Sequence, residues 1–259
     1  MEIKAVKLYK NGFMTQSFAF GGEEGVNKFD SSIKYRSSLQ NYLIDTGDEV
    51  ILVDTGMPKE TPDMPRDEDA PLYMGEKITD YVTALENLGY KKEDVTKILI
   101  THKHPDYTGE IRSFPNAKVY ISKIEAEEMK LEGENIIPVE FNNGSYYNFT
   151  NSEKITDNIY LIEAKGHTTG NSIVIAEKED KYYMFHGDVT YTDEALYANK
   201  LSVVFEDLEL ARETLDNVRE FVSNNPTVYL STHTPLGPEN LENDYIIDLD
   251  NQPESIKPI

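Results

Sequence analysis

The run Thr101-His102-Lys103-His104-Pro105-Asp106 carries two imidazoles at i and i+2 and a carboxylate two residues further on. On an extended loop both rings can face one centre while the carboxylate offers a hard oxygen beside it, a donor set suited to a divalent metal. Taken alone, the run is also compatible with a polar turn bearing two solvated histidines. Histidine is scarce, however, at 5 in 259 residues. The others are His167 in Gly166-His167-Thr168-Thr169-Gly170, His186 two residues before Asp188, and His233 after Ser231-Thr232. There is no cysteine, so thiolate nucleophiles, disulfides and sulfur ligands are excluded together. Any metal must be held by nitrogen and oxygen.

Ligands far apart in sequence can meet only if the fold delivers them to one edge. Short β-branched and aromatic runs predict strands at residues 98–100, 159–164 and 228–230, each directly before one of these polar segments, and at 182–188, ending in Asp188. Four of the five histidines, with Asp106 and Asp188, therefore sit just past strand ends. His186 is the exception, read as a packed strand histidine or a partner to a ligand. Upstream, residues 3–9 and 13–18 predict a hairpin around Asn11-Gly12, and 21–38 an excursion off the sheet. Strands at 41–45 and 50–53 lead into Asp54-Thr55-Gly56, where Asp54 could accept an N–H from a ligand histidine and fix its tautomer, or form an ordinary turn.

Residues 57–75, with four prolines and several apolar side chains, read as a lid-like loop that lines a pocket or is tethered to the core. Ile78, Tyr81, Val82, Leu85 and Leu88 recur at helical spacing before Gly89. A strand at 118–121 precedes Ser122-Lys123-Ile124-Glu125, a capping box opening a helix through about Leu131. Residues 133–158 are turn-rich, with short strands at best, and 172–176 is a further strand. An amphipathic helix spans 206–222, with Leu208, Ala211, Leu215, Val218, Phe221 and Val222 inward. The segment 238–259 reads as an acidic tail pinned by Tyr245, Ile246, Ile247 and Leu249.

The balance of 25 basic against 47 acidic residues gives a net charge of −22, which repels nucleic acid and anionic membrane surfaces. No apolar run approaches a membrane span of roughly 18 residues. The expectation is one cytoplasmic domain over residues 1–259, acting on a small molecule, with a homodimer allowed.

In this order the motifs resemble the metallo-β-lactamase-fold hydrolases, and within them the N-acyl homoserine lactonase branch. The resemblance rests on Asn41-Tyr42-Leu43, Ile51 to Pro58, Gly89-Tyr90, Thr101-His102-x-His104-x-Asp106, Gly166-His167-x-x-Gly170, Gly187-Asp188 and His233. It implies an α/β, four-layer αββα sandwich with a two-metal site between the sheet edges. Carried over residue by residue, it assigns His102, His104 and His167 to one metal, Asp188 as a bridge, and Asp106 and His233 to the other. Asp188-Val189-Thr190-Tyr191 matches the branch in which the tyrosine faces the substrate carbonyl oxygen.

The resemblance further implies a lactonase or esterase using one or two zinc ions. Metal-activated water attacks the carbonyl, Tyr191 steadies the oxyanion and Asp106 protonates the leaving alkoxide. Lys103 and Lys165 are the only cations beside the ligand loops, read as solvated or as anion-binding. One departure matters: Tyr107 stands where the family motif has a histidine after the aspartate. That leaves open a one-metal enzyme, a weakly held second metal, an iron-tyrosinate variant, or a fold kept for binding with hydrolysis lost.

Overall fold

The computed structural model describes residues 1–254 and 256–259, so Ser255 of the acidic tail lies outside the described residues. In chain order the elements are β1 (Glu2–Thr15), α1 (Gln16–Glu24), β2 (Lys34–Asp45), β3 (Val50–Val53), β4 (Leu72–Lys77) and α2 (Tyr81–Asn87). Next come β5 (Val95–Ile100), α3 (Pro105–Thr108), β6 (Lys118–Ser122), α4 (Lys123–Met129) and β7 (Ile136–Val139). The second half holds β8 (Ser152–Thr156), β9 (Ile159–Glu163), β10 (Ser172–Lys178), β11 (Lys181–Phe185), α5 (Asp193–Ala198), α6 (Leu208–Asn224), β12 (Thr227–Leu230) and α7 (Leu236–Glu242).

The strands form a seven-stranded sheet ordered β4-β1-β2-β3-β5-β6-β7 and a five-stranded sheet ordered β12-β11-β10-β9-β8. Alternation along each strand divides the core. Leu43, Leu52, Ile98 and Ile100 face outward onto Tyr81, Ala84, Leu85 and Ala126 of α2 and α4. Their neighbours Tyr42, Ile44, Ile51, Val53 and Leu99 face inward, meeting Leu161, Val174, Phe185 and Leu230 of the other sheet. Ile173, Ile175, Met184 and Tyr229 point the opposite way, onto Leu215, Val218 and Phe221 of α6. Three apolar layers between four layers of structure make the αββα sandwich. Truncating a side chain as deep as Phe221 to alanine costs about 3–5 kcal/mol.

Several expectations need correction. Asn11-Gly12 is not a hairpin turn, because β1 runs unbroken from Glu2 to Thr15 and pairs with β2 on one side and β4 on the other. The dipeptide absorbs a register shift instead, with Asn11 at φ 59° and Gly12 pressed against the Tyr73 and Met74 carbonyls. Of the 21–38 excursion, residues 34–38 belong to β2. The 57–75 segment ends in β4 rather than in loop. Met57 and Met74 are tethered to the core, while Met64 is exposed. Ile78 lies before α2 and is 45% exposed, so it is not core. The 238–259 tail begins inside α7, although Ile247 is buried and Tyr245 and Leu249 pack beside it, as expected. No helix among the described residues is long and apolar enough to cross a membrane.

Candidate metal centre

Each candidate ligand follows a buried strand. His102 and His104 leave the end of β5, His167 the end of β9, Asp188 the end of β11 and His233 the end of β12. Asp106 sits at the start of the single-turn α3, behind Pro105. Gly187, at φ 57°, turns the chain out of β11 so that Asp188 faces the cluster. A Cβ there would stand 3.0 Å from Thr101 Oγ1. The same turn separates His186 from Asp188. His186 stacks on Tyr229 and meets Ser231 Oγ at 3.0 Å, packed within the strand layer as expected.

Asp54 does not reach a histidine directly. It accepts the Thr101 N–H at 2.8 Å and the Thr101 hydroxyl at 3.1 Å, and that hydroxyl lies 3.1 Å from His102 Nδ1. With the hydroxyl hydrogen given to Asp54, Thr101 Oγ1 can only accept from His102 Nδ1, which leaves the Nε2 lone pair facing inward. His167 is fixed similarly: its Nδ1–H donates to the Val204 carbonyl at 3.0 Å and frees Nε2.

Four donor atoms converge. His102 Nε2 is 3.1 Å from His104 Nδ1 and 3.2 Å from His167 Nε2, and the last two are 3.0 Å apart. Asp188 Oδ2 lies 3.2 Å from His167 Nε2 and 3.6 Å from His102 Nε2. All four atoms fall within 4.8 Å of one another. For zinc bonds of about 2.0–2.1 Å at tetrahedral angles, donors stand about 3.3–3.4 Å apart. Burial, with the neighbouring His167, holds His102 well below the usual histidine range and lowers His104 as well. His167 moves the other way: burial opposes its protonation, but Asp188 and the Val204 carbonyl outweigh it and raise its pKa. His102 and His104 thus turn uncharged nitrogens toward His167 and the Asp188 carboxylate, an arrangement that suits a cation between them. The residues present fit one divalent ion.

A second cluster abuts the first. His233 Nε2 is 3.2 Å from Asp106 Oδ2 and 3.2 Å from Asp188 Oδ1. Burial opposes its protonation, but the two carboxylates push its pKa up to about 10. On Asp188, burial is likewise outweighed, chiefly by His233 and His167, and its carboxyl lies well below the usual range. Tyr107 is fully buried here and donates its hydroxyl to Asp188 Oδ1. Burial, followed by Asp188 and Asp106, pushes this phenol well above its ordinary value. A phenol that keeps its proton, and gives it to the oxygen a second ion would share, is a poor ligand. As they stand, these residues do not fit a second ion.

Tyr191 is buried rather than turned to solvent. Its ring lies parallel to His233 at 4.9 Å and edge-on to Phe18 at 5.1 Å. Met14, Ala19, Phe20, Tyr35 and Ala195 pack around it, with Leu72 and Val204 at the margin. Lys103 is neither free nor anion-binding, since its ammonium pairs with Glu128 and, at 2.6 Å, with Glu206. Lys165 pairs with Glu163 at 2.7 Å. Glu125 does not close the expected capping box. Ser122 makes no side-chain cap, and the Glu125 carboxylate is spent on backbone amides of the histidine loops. The supporting roles of Thr101, Glu125 and Glu206 leave no mark in local spacing, because each acts through a tertiary partner.

The fold and the cage together define a metal-dependent hydrolase, and residues 40–233 match the family model described as the metallo-beta-lactamase superfamily. The chain belongs to that superfamily. Within it, the chain is 26% identical over 199 residues to an N-acyl homoserine lactonase of Bacillus cereus, spanning 74% of this chain and 79% of the relative. The fold is shared with the crystal structure of a quorum-quenching N-acyl homoserine lactone lactonase: TM-score 0.68, 20% identity, 90% of this chain and 92% of that one. It is also shared with AidC, a dizinc quorum-quenching lactonase solved in complex with a product: TM-score 0.64, 17% identity, 90% of each chain.

Proposed function

We propose that this chain hydrolyses a small lactone, or a closely related ester, at one divalent ion, zinc in the first instance, held by His102, His104, His167 and Asp188. The observation that carries the proposal is the four-donor cage, in which ring nitrogens of His102, His104 and His167 and an Asp188 oxygen converge. A bound divalent ion supplies Lewis acidity, acidifying water toward a pKa of about 7 and polarising a carbonyl. The rest falls to the chain itself. Tyr191, clamped between Phe18 and His233, presents a hydroxyl beside Asp188 at the cage rim and donates to the oxyanion as it develops. Asp106, whose Oδ2 is steadied by His233, carries the proton to the leaving alkoxide. Phe18 packs edge-on against Tyr191, with Leu72 and Val204 in the same apolar cluster, and such a surface suits an acyl group.

The lactonase relatives favour a lactone over other esters. One observation favours a non-hydrolytic, ligand-binding role, namely the Tyr107 hydroxyl donating to Asp188 where the family motif has a histidine. The test is acid release, followed by pH-stat, from short- and long-chain N-acyl homoserine lactones, a simple lactone and an aryl ester. Zinc-loaded protein should open the lactones and zinc-free protein should not. Loaded protein that turns over nothing in the panel sinks the proposal and selects the binding role.

A further inference from the structure

The cage is assembled from two sheets, and something must hold their loops in register. Lys103 lies between the two ligand histidines of the first loop, and its N–H donates to Glu125 Oε2 at 2.6 Å. Gly170 follows His167 by three residues in the other loop, and its N–H donates to Glu125 Oε1 at 2.8 Å. Glu125 is 0% exposed, and among the described residues no lysine or arginine forms an ion pair with it. A buried carboxylate without a cation is costly, and here it is compensated by one charge-assisted hydrogen bond from each loop. The fit leaves no slack: a Cβ on Gly170 would stand 2.7 Å from Glu125 Cγ and 2.8 Å from both its Oε1 and Ser122 Oγ. The Ser172 N–H to Thr101 carbonyl bond, at 2.8 Å, continues the same seam.

We infer that Glu125 is a positioning residue that sets the geometry of the metal cage by clasping the His102–His104 loop to the His167 loop. It is not one of the four donors of the cage, and its two oxygens accept from loop amides instead. Its negative charge, felt at His104, adds to the field that favours a cation. The inference rests on the cage named in the proposed function, not on the substrate.

The experiment titrates zinc into the metal-free full-length protein against a chelator of known affinity, and records the visible d–d bands of the cobalt-loaded protein. Glu125→Gln turns one acceptor oxygen into an NH2 that faces a backbone N–H, and Gly170→Ala displaces the wild-type carboxylate. Each should weaken zinc binding about 10–100-fold, and each should shift and weaken the cobalt bands as coordination loosens. Glu128→Gln, an exposed partner of the Lys103 ammonium on the same helix, should leave both within twofold. Should Glu125→Gln fail to fold, Gly170→Ala decides by the same two readouts. Zinc affinity within twofold of wild type, or weakened affinity with an unchanged cobalt spectrum, overturns the positioning role. Wild-type protein that takes no zinc overturns the proposed function as well, so the two failures are distinguishable.

Discussion

Tyr107→His restores an imidazole beside Asp106, Asp188 and His233, and its consequences can be sized. The Tyr107 hydroxyl donates to a carboxylate, and losing a hydrogen bond to a charged acceptor costs about 1.5–3 kcal/mol. In a chain of this length each kcal/mol moves the melting temperature by about 2–4 °C, so metal-free Tyr107→His should melt roughly 3–12 °C below metal-free wild type. Zinc should reverse the order. A second ion at free concentration about 1,000 times its Kd adds about 4.1 kcal/mol to the variant alone, which exceeds the loss by about 1–3 kcal/mol. Thermal melts with and without zinc, paired with metal analysis by mass spectrometry, read both effects. Metal content should rise from near one to near two per chain. Two tightly held zinc ions in wild type, or one in the variant with no inversion of melting order, would show that Tyr107 does not occupy the second position. A visible charge-transfer band in purified wild type would instead mark Tyr107 as a ferric ligand.

His104→Ala removes one donor of the cage, so zinc content should fall well below one per chain and zinc should no longer raise the melting temperature. Unchanged metal content rules out His104 as a ligand. Tyr191→Phe should lower kcat for lactone opening by about 10²–10³ with little change in KM, and Asp106→Asn should cost more. Wild-type turnover in either variant removes that residue from the mechanism. Glu194 is buried with Oε2 unpartnered, and burial raises its pKa to about 7. A raised carboxyl pKa means stability is full below the unfolded value near 4.5 and is lost as pH climbs toward 7. Glu194→Gln should therefore flatten the stability profile across that window and gain up to about 3 kcal/mol at pH 8. Parallel profiles for the two proteins contradict this.

The layers of the fold were legible because each buried strand is a short apolar run whose alternate side chains face different neighbours. Ile98-Leu99-Ile100 is the clearest instance, split between two core layers. The candidate ligands were legible for a related reason: a histidine directly after such a run has few places to go. Asn11-Gly12 misled because its conformational freedom serves a bulge as well as a turn, and only the pairing of β1 with both β2 and β4 decides between them. Ser122-x-x-Glu125 misled because a glutamate at that spacing either caps its own helix or reaches elsewhere. The two amides it reaches, at Lys103 and Gly170, are 22 and 45 residues away. The relay from Asp54 through Thr101 to His102 was half visible, since the carboxylate stood out and the intervening hydroxyl did not.

The cage draws two histidines from one sheet, and a third histidine and the aspartate from the other. The full four-donor set exists only once the sheets have met, so the closed chain holds an ion far more tightly than the open one. Once seated, it ties the halves together in a chain with no cysteine for a covalent tie. Loading should therefore act on the rate at which the finished molecule comes apart far more than on the rate at which it forms. Zinc-bound protein should resist a protease for much longer than metal-free protein at the same temperature, while the two refold side by side.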